Sequence, residues 1–94
     1  MHYQLFYHPD VKVRDLPEIP RNIRERIREA IERRLATEPS KYGEPLRRSL
    51  HGWRKMRVGD YRVIYRVDQD KVAICKIGHR KEVYTKAHLR MDKE

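Results

Sequence analysis

Five side chains in the second half of the chain have the chemistry that phosphodiester cleavage needs. Arginine guanidinium groups bind phosphate through paired hydrogen bonds and stabilise the charge that develops on it in a transition state. A lysine crowded by arginines loses its proton more readily, which suits a base. The candidates are Lys55, Arg57, Arg62, Arg80 and His79, with Tyr84 within reach of them. If the 2′-hydroxyl of RNA attacks the adjacent phosphate, RNA is the substrate and no metal is needed.

A predicted β-hairpin over residues 53–67 brings several of these cations together. Its Gly59-Asp60 centre suits a two-residue type II′ turn, because glycine tolerates the positive φ of the first turn position. Pairing around this turn sets Arg57 directly opposite Arg62. Because side chains alternate along a strand, one face of the hairpin is expected to hold Trp53, Lys55, Arg57, Arg62, Ile64 and Arg66.

Arginines that face each other repel and weaken a sheet by roughly several tenths of a kcal/mol. The acids that are nearest in the sequence, Asp60, Asp68 and Asp70, are predicted to lie in turns and to bond the local backbone. The cluster of cations therefore indicates a site for an external anion. The alternative is a charged face that is simply solvated.

The next predicted strand, residues 72–77, returns toward the arginine end of the hairpin. Its register sets Ile77 beside Arg62. The Gly-His-Arg corner that follows can bend at its glycine. This bend is expected to deliver three further candidates to the same end of the sheet, namely His79, Arg80 and Tyr84.

The scaffold for this site is predicted to be α+β, as one domain over residues 1–94. An N-terminal strand at residues 2–7 joins an antiparallel β-meander, and an amphipathic helix or helical hairpin packs against the sheet. The main helix spans roughly residues 20–37, and its outer side is either a solvated surface or a nucleic-acid contact. Its apolar stripe consists of Ile23, Ile27, Ala30, Ile31 and Leu35, and the sheet face that receives it consists of Met56, Val58, Tyr61, Val63 and Tyr65.

Shorter elements are predicted around this framework. Asp10 can cap a short helix at residues 11–16. Residues 39–52, with two prolines and two glycines, form a connector with a turn of helix. After the meander, residues 82–85 are expected to add a short strand, and residues 86–91 to close the chain with a brief helix.

The formal net charge of +9 predicts a polyanionic partner. Residues 41–94 carry most of the excess, because residues 1–40 hold eight Lys and Arg against seven Asp and Glu. The single Cys75, in an apolar run, predicts a buried thiol and a cytoplasmic location. The histidines lack ligand spacing, so neither a metal nor another cofactor is expected. No signal peptide or membrane-spanning stretch is recognised, and no membrane contact is expected.

Two segments, RKMRVGDYRVIYRV and VAICKIGHRKEVY, resemble the RelE/ParE superfamily of toxin-antitoxin toxins, and most closely its RelE-like mRNA-cleaving branch. The resemblance spans nearly the whole chain. It implies a compact toxin that enters the ribosomal A site and cuts mRNA without a metal, by 2′-hydroxyl attack. It also implies a cognate antitoxin that wraps the toxin, so that operator DNA is contacted only through their complex.

The resemblance also implies roles for single residues. Arg62 matches an arginine that stabilises the transition-state phosphate, and Arg80 matches a further phosphate or leaving-group contact. Tyr84 matches a tyrosine that stacks on the nucleotide, and Lys55 matches a candidate base. His79 is either an acid or base, or a corner residue that bonds the backbone. The remaining basic residues expected to contact RNA or the ribosome are Arg47, Arg48, Arg54, Arg57 and Lys81.

Two other functions stay open at this point. A ParE-like toxin that inhibits DNA gyrase needs the same scaffold without a catalytic set, and Arg80 and Tyr84 argue against it. A basic module that only binds nucleic acid is the second alternative. The second lysine of the RelE-like pattern has no counterpart here, which leaves the choice of base between Lys55 and His79 open.

Overall fold

The computed structural model describes residues 2–91, in which five strands form one mixed sheet. The strands are β1 (Gln4–Tyr7), β2 (Glu44–Pro45), β3 (Arg54–Val58), β4 (Tyr61–Asp68) and β5 (Lys71–His79). Their order across the sheet is β1-β5-β4-β3-β2, with β1 parallel to β5 and all other neighbours antiparallel. The predicted α+β fold, a meander with an added N-terminal strand, is confirmed.

The amphipathic helix covers one face of this sheet, as predicted. α1 (Arg21–Ala30) continues directly as a π-helical segment, Ile31–Leu35. The core between helix and sheet includes Ile27, Ile31, Leu35, Met56, Val63 and Tyr65. Burial of each such side chain contributes roughly 1.5–3 kcal/mol, so the apolar stripe holds the helix in place. The other helical elements are α2 (Pro39–Tyr42), a 3₁₀ turn at Arg48–Leu50 and α3 (Val83–Met91). Within residues 2–91, no helix is long and apolar enough to cross a membrane.

The chain between β1 and α1 forms two short helical segments where a capped helix was expected. Val11–Asp15 is π-helical, and Leu16–Glu18 is a 3₁₀ turn. Asp10 makes no side-chain capping bond, and its backbone N–H donates to Nδ1 of His8 over 3.1 Å. The prediction that Asp10 caps a helix is therefore wrong.

A one-residue β-bulge interrupts the pairing of β4 with β5. Tyr65 pairs with Ile74, but the residue before it on β4, Ile64, pairs with Lys76. Cys75 is thus an extra residue on β5. A bulge breaks the regular alternation of a strand and shifts everything beyond it by one position. The predicted register therefore holds near the second turn and fails toward the far end of β5.

The shifted register changes what lies next to Arg62. Gly78 is its partner, and the predicted neighbour, Ile77, pairs with Val63. Gly78 has no side chain, so the first residue of α3, Val83, packs closely above it. A Cβ atom at Gly78 would lie 3.3 Å from Cγ2 of Val83. The glycine thereby sets the position at which α3 starts on the sheet.

α3 covers the second face of the sheet, where a short strand at residues 82–85 was expected. That prediction is wrong, because Val83 and Ala87 pack onto Ile64 and Cys75 as one side of a helix. The helix predicted for residues 86–91 exists but begins earlier. The core under α3 consists of Ile64, Cys75, Val83 and Ala87, with Leu46, Trp53 and Tyr84 packed around them. The expected burial of Cys75 is confirmed.

Asp15 lies at the centre of a buried ionic cluster that the sequence did not indicate. Its Oδ1 accepts hydrogen bonds from Nζ of Lys76 (2.5 Å) and Nη2 of Arg90 (3.0 Å). Its Oδ2 accepts from Nη1 of Arg90 and from the backbone N–H of Ile77, both at 2.9 Å. Nη1 of Arg90 also donates to the carbonyl oxygen of Cys75 over 2.9 Å. The carboxylate therefore closes the edge of β5 beyond the end of β1 and ties α3 to it.

Arg54 and Tyr65 fasten the connector to the sheet. Nη2 of Arg54 donates to the carbonyl oxygens of Ser40 (2.8 Å) and Gly43 (2.6 Å). The Tyr65 hydroxyl donates to the carbonyl oxygen of Pro39 over 2.6 Å. Burial raises the pKa of the Tyr65 phenol, although Arg54 acts in the opposite direction. The phenol therefore stays protonated and able to donate this bond at neutral pH.

Replacing Gly43 with alanine is expected to destabilise the fold by about 1–3 kcal/mol, the usual cost of overpacking a core. A Cβ atom at Gly43 would lie 1.7 Å from the Tyr65 hydroxyl oxygen, so the ring or the connector must move. Urea unfolding measures the change. Tyr65→Phe measures separately the loss of the hydrogen bond to Pro39. An unchanged urea midpoint for Gly43→Ala would mean that Tyr65 does not fill this space.

Candidate functional site

The structure brings Lys55 and Tyr84 into contact on the sheet face that α3 covers. Nζ of Lys55, on β3, lies 5.6 Å from the centroid of the Tyr84 ring, in the first turn of α3. Nζ also lies 3.9 Å from Oε2 of Glu44, a residue that the sequence prediction did not include. Both neighbours attract an ammonium group. The Lys55 side chain remains 29% exposed, so a ligand can still reach it.

Arg62 lies on the same sheet face, one alternation along β4 from Ile64, the cross-strand partner of Lys55. The residue is only 8% exposed, so its side chain is far more buried than that of a typical surface arginine. Nη1 donates to the carbonyl oxygens of Gly59 (3.0 Å) and Tyr61 (2.9 Å). Both bonds use Nη1, so neither engages Nε or Nη2. Arg62 is therefore held rigidly at the hairpin end by one of its three nitrogens.

Arg80 reaches the same hairpin through Asp60. Its backbone N–H donates to the carbonyl oxygen of Asp60 over 2.9 Å, and its Nε lies 3.7 Å from Oδ1 of Asp60. The side chains are 54% and 71% exposed, so this ion pair contributes little to stability. The sequence prediction gave Asp60 only a local role in the turn. In the structure Asp60 also positions Arg80.

His79 is separated from the other candidates by the bulge. Its cross-strand partner is Tyr61, whose side chain packs in the core between α1 and the sheet. The two rings meet edge to face, with centroids 5.6 Å apart. Nδ1 of His79 accepts a hydrogen bond from the backbone N–H of Lys81 over 3.2 Å. This geometry fits the corner residue that bonds the backbone, and the predicted convergence of His79 with Lys55 and Arg62 is wrong.

The five arginines and lysines expected to contact RNA fall into two groups. Arg54 is occupied by the connector, and its Nε is buried without a hydrogen-bond partner in the described chain. The geometry therefore does not support the prediction that Arg54 contacts RNA. The exposed members of the set are Arg47, Arg48, Arg57 and Lys81.

Lys55, Arg62 and Tyr84 lie on one face of the sheet, and Arg80 is held at the turn between β3 and β4. We call these four residues the cationic face. Ile64, fully buried, lies between Lys55 and Arg62 and packs with Tyr84 in the core under α3. A phosphate on this face can accept hydrogen bonds from guanidinium and ammonium groups, while a base stacks on the ring. Glu44 and Asp60 supply the local counter-charges, which the sequence alone did not reveal.

Comparisons with known proteins agree on one family. The family model described as ParE toxin of type II toxin-antitoxin system, parDE, matches residues 2–84. Toxin RelG of Mycobacterium tuberculosis (strain ATCC 25618 / H37Rv) is 38% identical over 73 residues, which cover 76% of this chain and 84% of RelG. Toxin RelE of the same organism is 37% identical over 73 residues, with coverage of 76% and 75%.

Solved structures share the fold. The toxin-antitoxin complex RelBE2 from Mycobacterium tuberculosis matches with a TM-score of 0.78 and 34% identity, over 85% of this chain and 93% of that chain. A mutant of the Escherichia coli toxin RelE in the free state matches with a TM-score of 0.72 over 96% and 98% of the chains. Its identity is 20%, so this second likeness shows the fold alone. With the family model and the two curated relatives, these matches show that the chain belongs to the RelE/ParE superfamily of type II toxin-antitoxin toxins.

Proposed function

We propose that this toxin is a metal-independent endoribonuclease that cleaves mRNA, with the cationic face as its active site. The observation that carries the proposal is the contact between Lys55 and Tyr84, on the same face as the rigidly held Arg62. A nucleotide stacked on the tyrosine would place its phosphate among the cations. Proteins that bind single-stranded nucleic acid combine these same features, an aromatic ring for the base and cations for the phosphate.

The proposed reaction is an internal transesterification. The 2′-oxygen of one nucleotide attacks the adjacent phosphorus, and the bond from phosphorus to the 5′-oxygen of the next nucleotide breaks. The 2′-hydroxyl loses its proton, and the departing 5′-oxygen gains one. The products are a 2′,3′-cyclic phosphate and a 5′-hydroxyl end.

Each member of the cationic face has a role in this reaction. Arg62 and Arg80 stabilise the charge that builds on the phosphate oxygens. Tyr84 stacks on a base and orients the nucleotide. Lys55 is the proton-transfer group on this face, because its ammonium lies against the ring that would hold the nucleotide. His79, on the other side of the sheet, keeps the structural role that its hydrogen bond to Lys81 supports.

The proposed setting is the ribosomal A site, with a cognate antitoxin as the regulatory partner. Two solved structures similar to this chain support an antitoxin partner, because both are toxin-antitoxin complexes. They are RelBE2 from Mycobacterium tuberculosis and RelB-RelE from Methanococcus jannaschii. The exposed basic residues Arg47, Arg48 and Lys81 would contact ribosomal RNA. Operator DNA would be bound only through the complex with the antitoxin.

Translation of a reporter mRNA in a purified system tests this proposal. The 5′ ends of the mRNA are mapped with and without the folded protein. New ends within ribosome-bound codons are expected when the protein is present. Intact mRNA in the presence of folded protein would overturn the proposal.

A second candidate function is the inhibition of DNA gyrase without nuclease activity. The observation in its favour is that the matching family model is that of the ParE toxin. A supercoiling assay separates the two functions. Inhibition of gyrase at stoichiometric protein, with mRNA left intact, would reverse the choice made here.

Replacing Tyr84 with alanine is expected to lower the cleavage rate about tenfold to a hundredfold, since stacking on one base contributes about 1–3 kcal/mol. Tyr84→Phe keeps the ring and is expected to keep most of the activity. Single-turnover cleavage by the two variants, at equal folded concentration, checks the difference. Equal losses in both variants would assign the effect to the hydroxyl and contradict a stacking role.

A further inference from the structure

Four arginines surround a cleft on the side of the molecule where α1 faces the β3–β4 turn. We call it the arginine cleft and define it as Arg26, Arg33, Arg34 and Arg57. Its volume is about 330 Å³, and a single acid, Glu29, lies among its lining residues. Three of the arginines come from α1 and its π-helical continuation, and the fourth comes from β3. The cleft therefore joins two elements that are far apart in the sequence.

The arginines of this cleft make no ion pair within residues 2–91. Within residues 2–91, no carboxylate oxygen lies within 4.0 Å of a guanidinium nitrogen of Arg26, Arg33 or Arg57. By contrast Arg21, on the same helix, pairs with Glu25 at 3.8 Å. Four cations grouped around one acid repel each other, which costs stability unless an anion joins them. The cleft thus has the charge and the free donors of an anion site.

One member of the cleft is already oriented. The guanidinium carbon of Arg34 lies 5.7 Å from the centroid of the Tyr42 ring, a cation–π contact that restrains the side chain. Arg57 is anchored by its place on β3, directly opposite Arg62. The cleft therefore adjoins the cationic face through one pair of opposed residues. Arg57 thus both lines the cleft and is the cross-strand partner of Arg62.

We propose that the arginine cleft binds the phosphodiester backbone of an RNA and positions it beside the cationic face. This inference rests on the proposed function in one respect, namely that the partner is RNA. Guanidinium groups recognise phosphate oxygens and have no preference for a base. The cleft therefore strengthens RNA binding and fixes the position of the strand, without selecting a base sequence. Arg57 belongs to the basic residues that the sequence indicated as RNA contacts. The other three arginines lie on the main helix, whose outer side the sequence left open between a solvated surface and a nucleic-acid contact.

The salt dependence of RNA binding tests the cleft. The affinity of the full chain for a short fluorescein-labelled RNA duplex is measured by anisotropy over about 50–200 mM KCl, the range in which counterion release dominates. For Arg26→Gln/Arg33→Gln, the slope of log affinity against log salt is expected to become shallower by about 2, or about 1 for each lost phosphate contact. Arg33→Lys keeps the charge and is expected to retain most of the slope.

The matched control is Arg21→Gln/Arg28→Gln, which removes the same charge from the same helix. Arg21 and Arg28 line a different cavity, formed with Tyr7 and Leu16, so their loss is expected to leave the slope close to that of wild type. Equal slopes for the two double variants, both with the melting temperature of wild type, would overturn the proposal. Binding is measured without translation or cleavage. The cleft can therefore fail while mRNA is still cut, and cleavage can fail while the slope difference persists.

Discussion

Replacing Asp15 with alanine is expected to lower the free energy of unfolding by about 3–5 kcal/mol, the usual cost of breaking a buried ion pair from one side. The change leaves Lys76 and Arg90 without their counter-charge, although their side chains are only 10% and 9% exposed. It also removes the acceptor for the backbone N–H of Ile77. Burial alone lowers the pKa of Arg90, but the hydrogen bonds and charge of Asp15 raise it overall. The arginine therefore keeps its positive charge and needs the carboxylate.

Urea unfolding measures this loss, and Asp10→Ala is the matched control. Asp10 is five residues earlier and touches Arg14 and Arg90 only loosely, at 3.8 and 3.9 Å. Partly exposed pairs of this kind contribute about 0–1 kcal/mol. A loss for Asp15→Ala no greater than that for Asp10→Ala would contradict the described cluster. Since Arg90 lies on α3, protease cleavage within α3 is also expected to become faster in Asp15→Ala.

Replacing Arg62 with alanine is expected to lower the rate of RNA cleavage about 100-fold to 1000-fold, or about 2.7–4 kcal/mol, the typical effect of removing one donor to a transition-state oxyanion. The residue is held by Gly59 and Tyr61, so little reorganisation is needed when charge develops on the phosphate. Single-turnover cleavage of ribosome-bound mRNA measures the rate. Arg62→Lys keeps a charge but not the planar fork, and is expected to recover only part of the loss.

Arg66→Ala is the control for Arg62→Ala, because Arg66 lies on the same strand and carries the same charge. Its guanidinium stacks on Trp53 at 4.9 Å, and within residues 2–91 it makes no hydrogen bond or ion pair with the cationic face. A change of less than about tenfold, or 1.4 kcal/mol, is expected. Because Arg62 also clamps the hairpin, each variant is compared at equal folded fraction, checked by thermal melting. Full activity of a folded Arg62→Ala variant would remove Arg62 from the mechanism.

The hairpin and the two faces of the sheet were predictable because local rules decide them. Gly59 has φ of +60°, as the predicted type II′ turn requires, and the turn sets Arg57 opposite Arg62. Alternation then assigns every side chain of β3 and β4 to a face. The apolar stripe of α1 follows from helical spacing alone. These features depend on residues that are close in the sequence.

The features that were missed depend on contacts between distant residues. The bulge at Cys75 sets Gly78 opposite Arg62 and turns His79 toward the other face of the sheet, beside Tyr61. The Asp15 cluster joins residues 61 and 75 positions apart, and no local pattern marks it. An aspartate at the end of a short helical segment is usually a solvated acid. Only the fold shows that Asp15 lies at the open edge of β5.

The chemistry of the cut ends tests the central claim most directly. Reporter mRNA is cleaved during translation with the purified wild-type toxin, and both new termini are identified by mass spectrometry and by enzymatic end labelling. If the 2′-hydroxyl attacks the adjacent phosphate at the cationic face, the upstream fragment ends in a 2′,3′-cyclic phosphate or its hydrolysed phosphate. The downstream fragment then begins with a 5′-hydroxyl. A 3′-hydroxyl with a 5′-phosphate would show that water attacked the phosphorus, and would contradict the proposed mechanism.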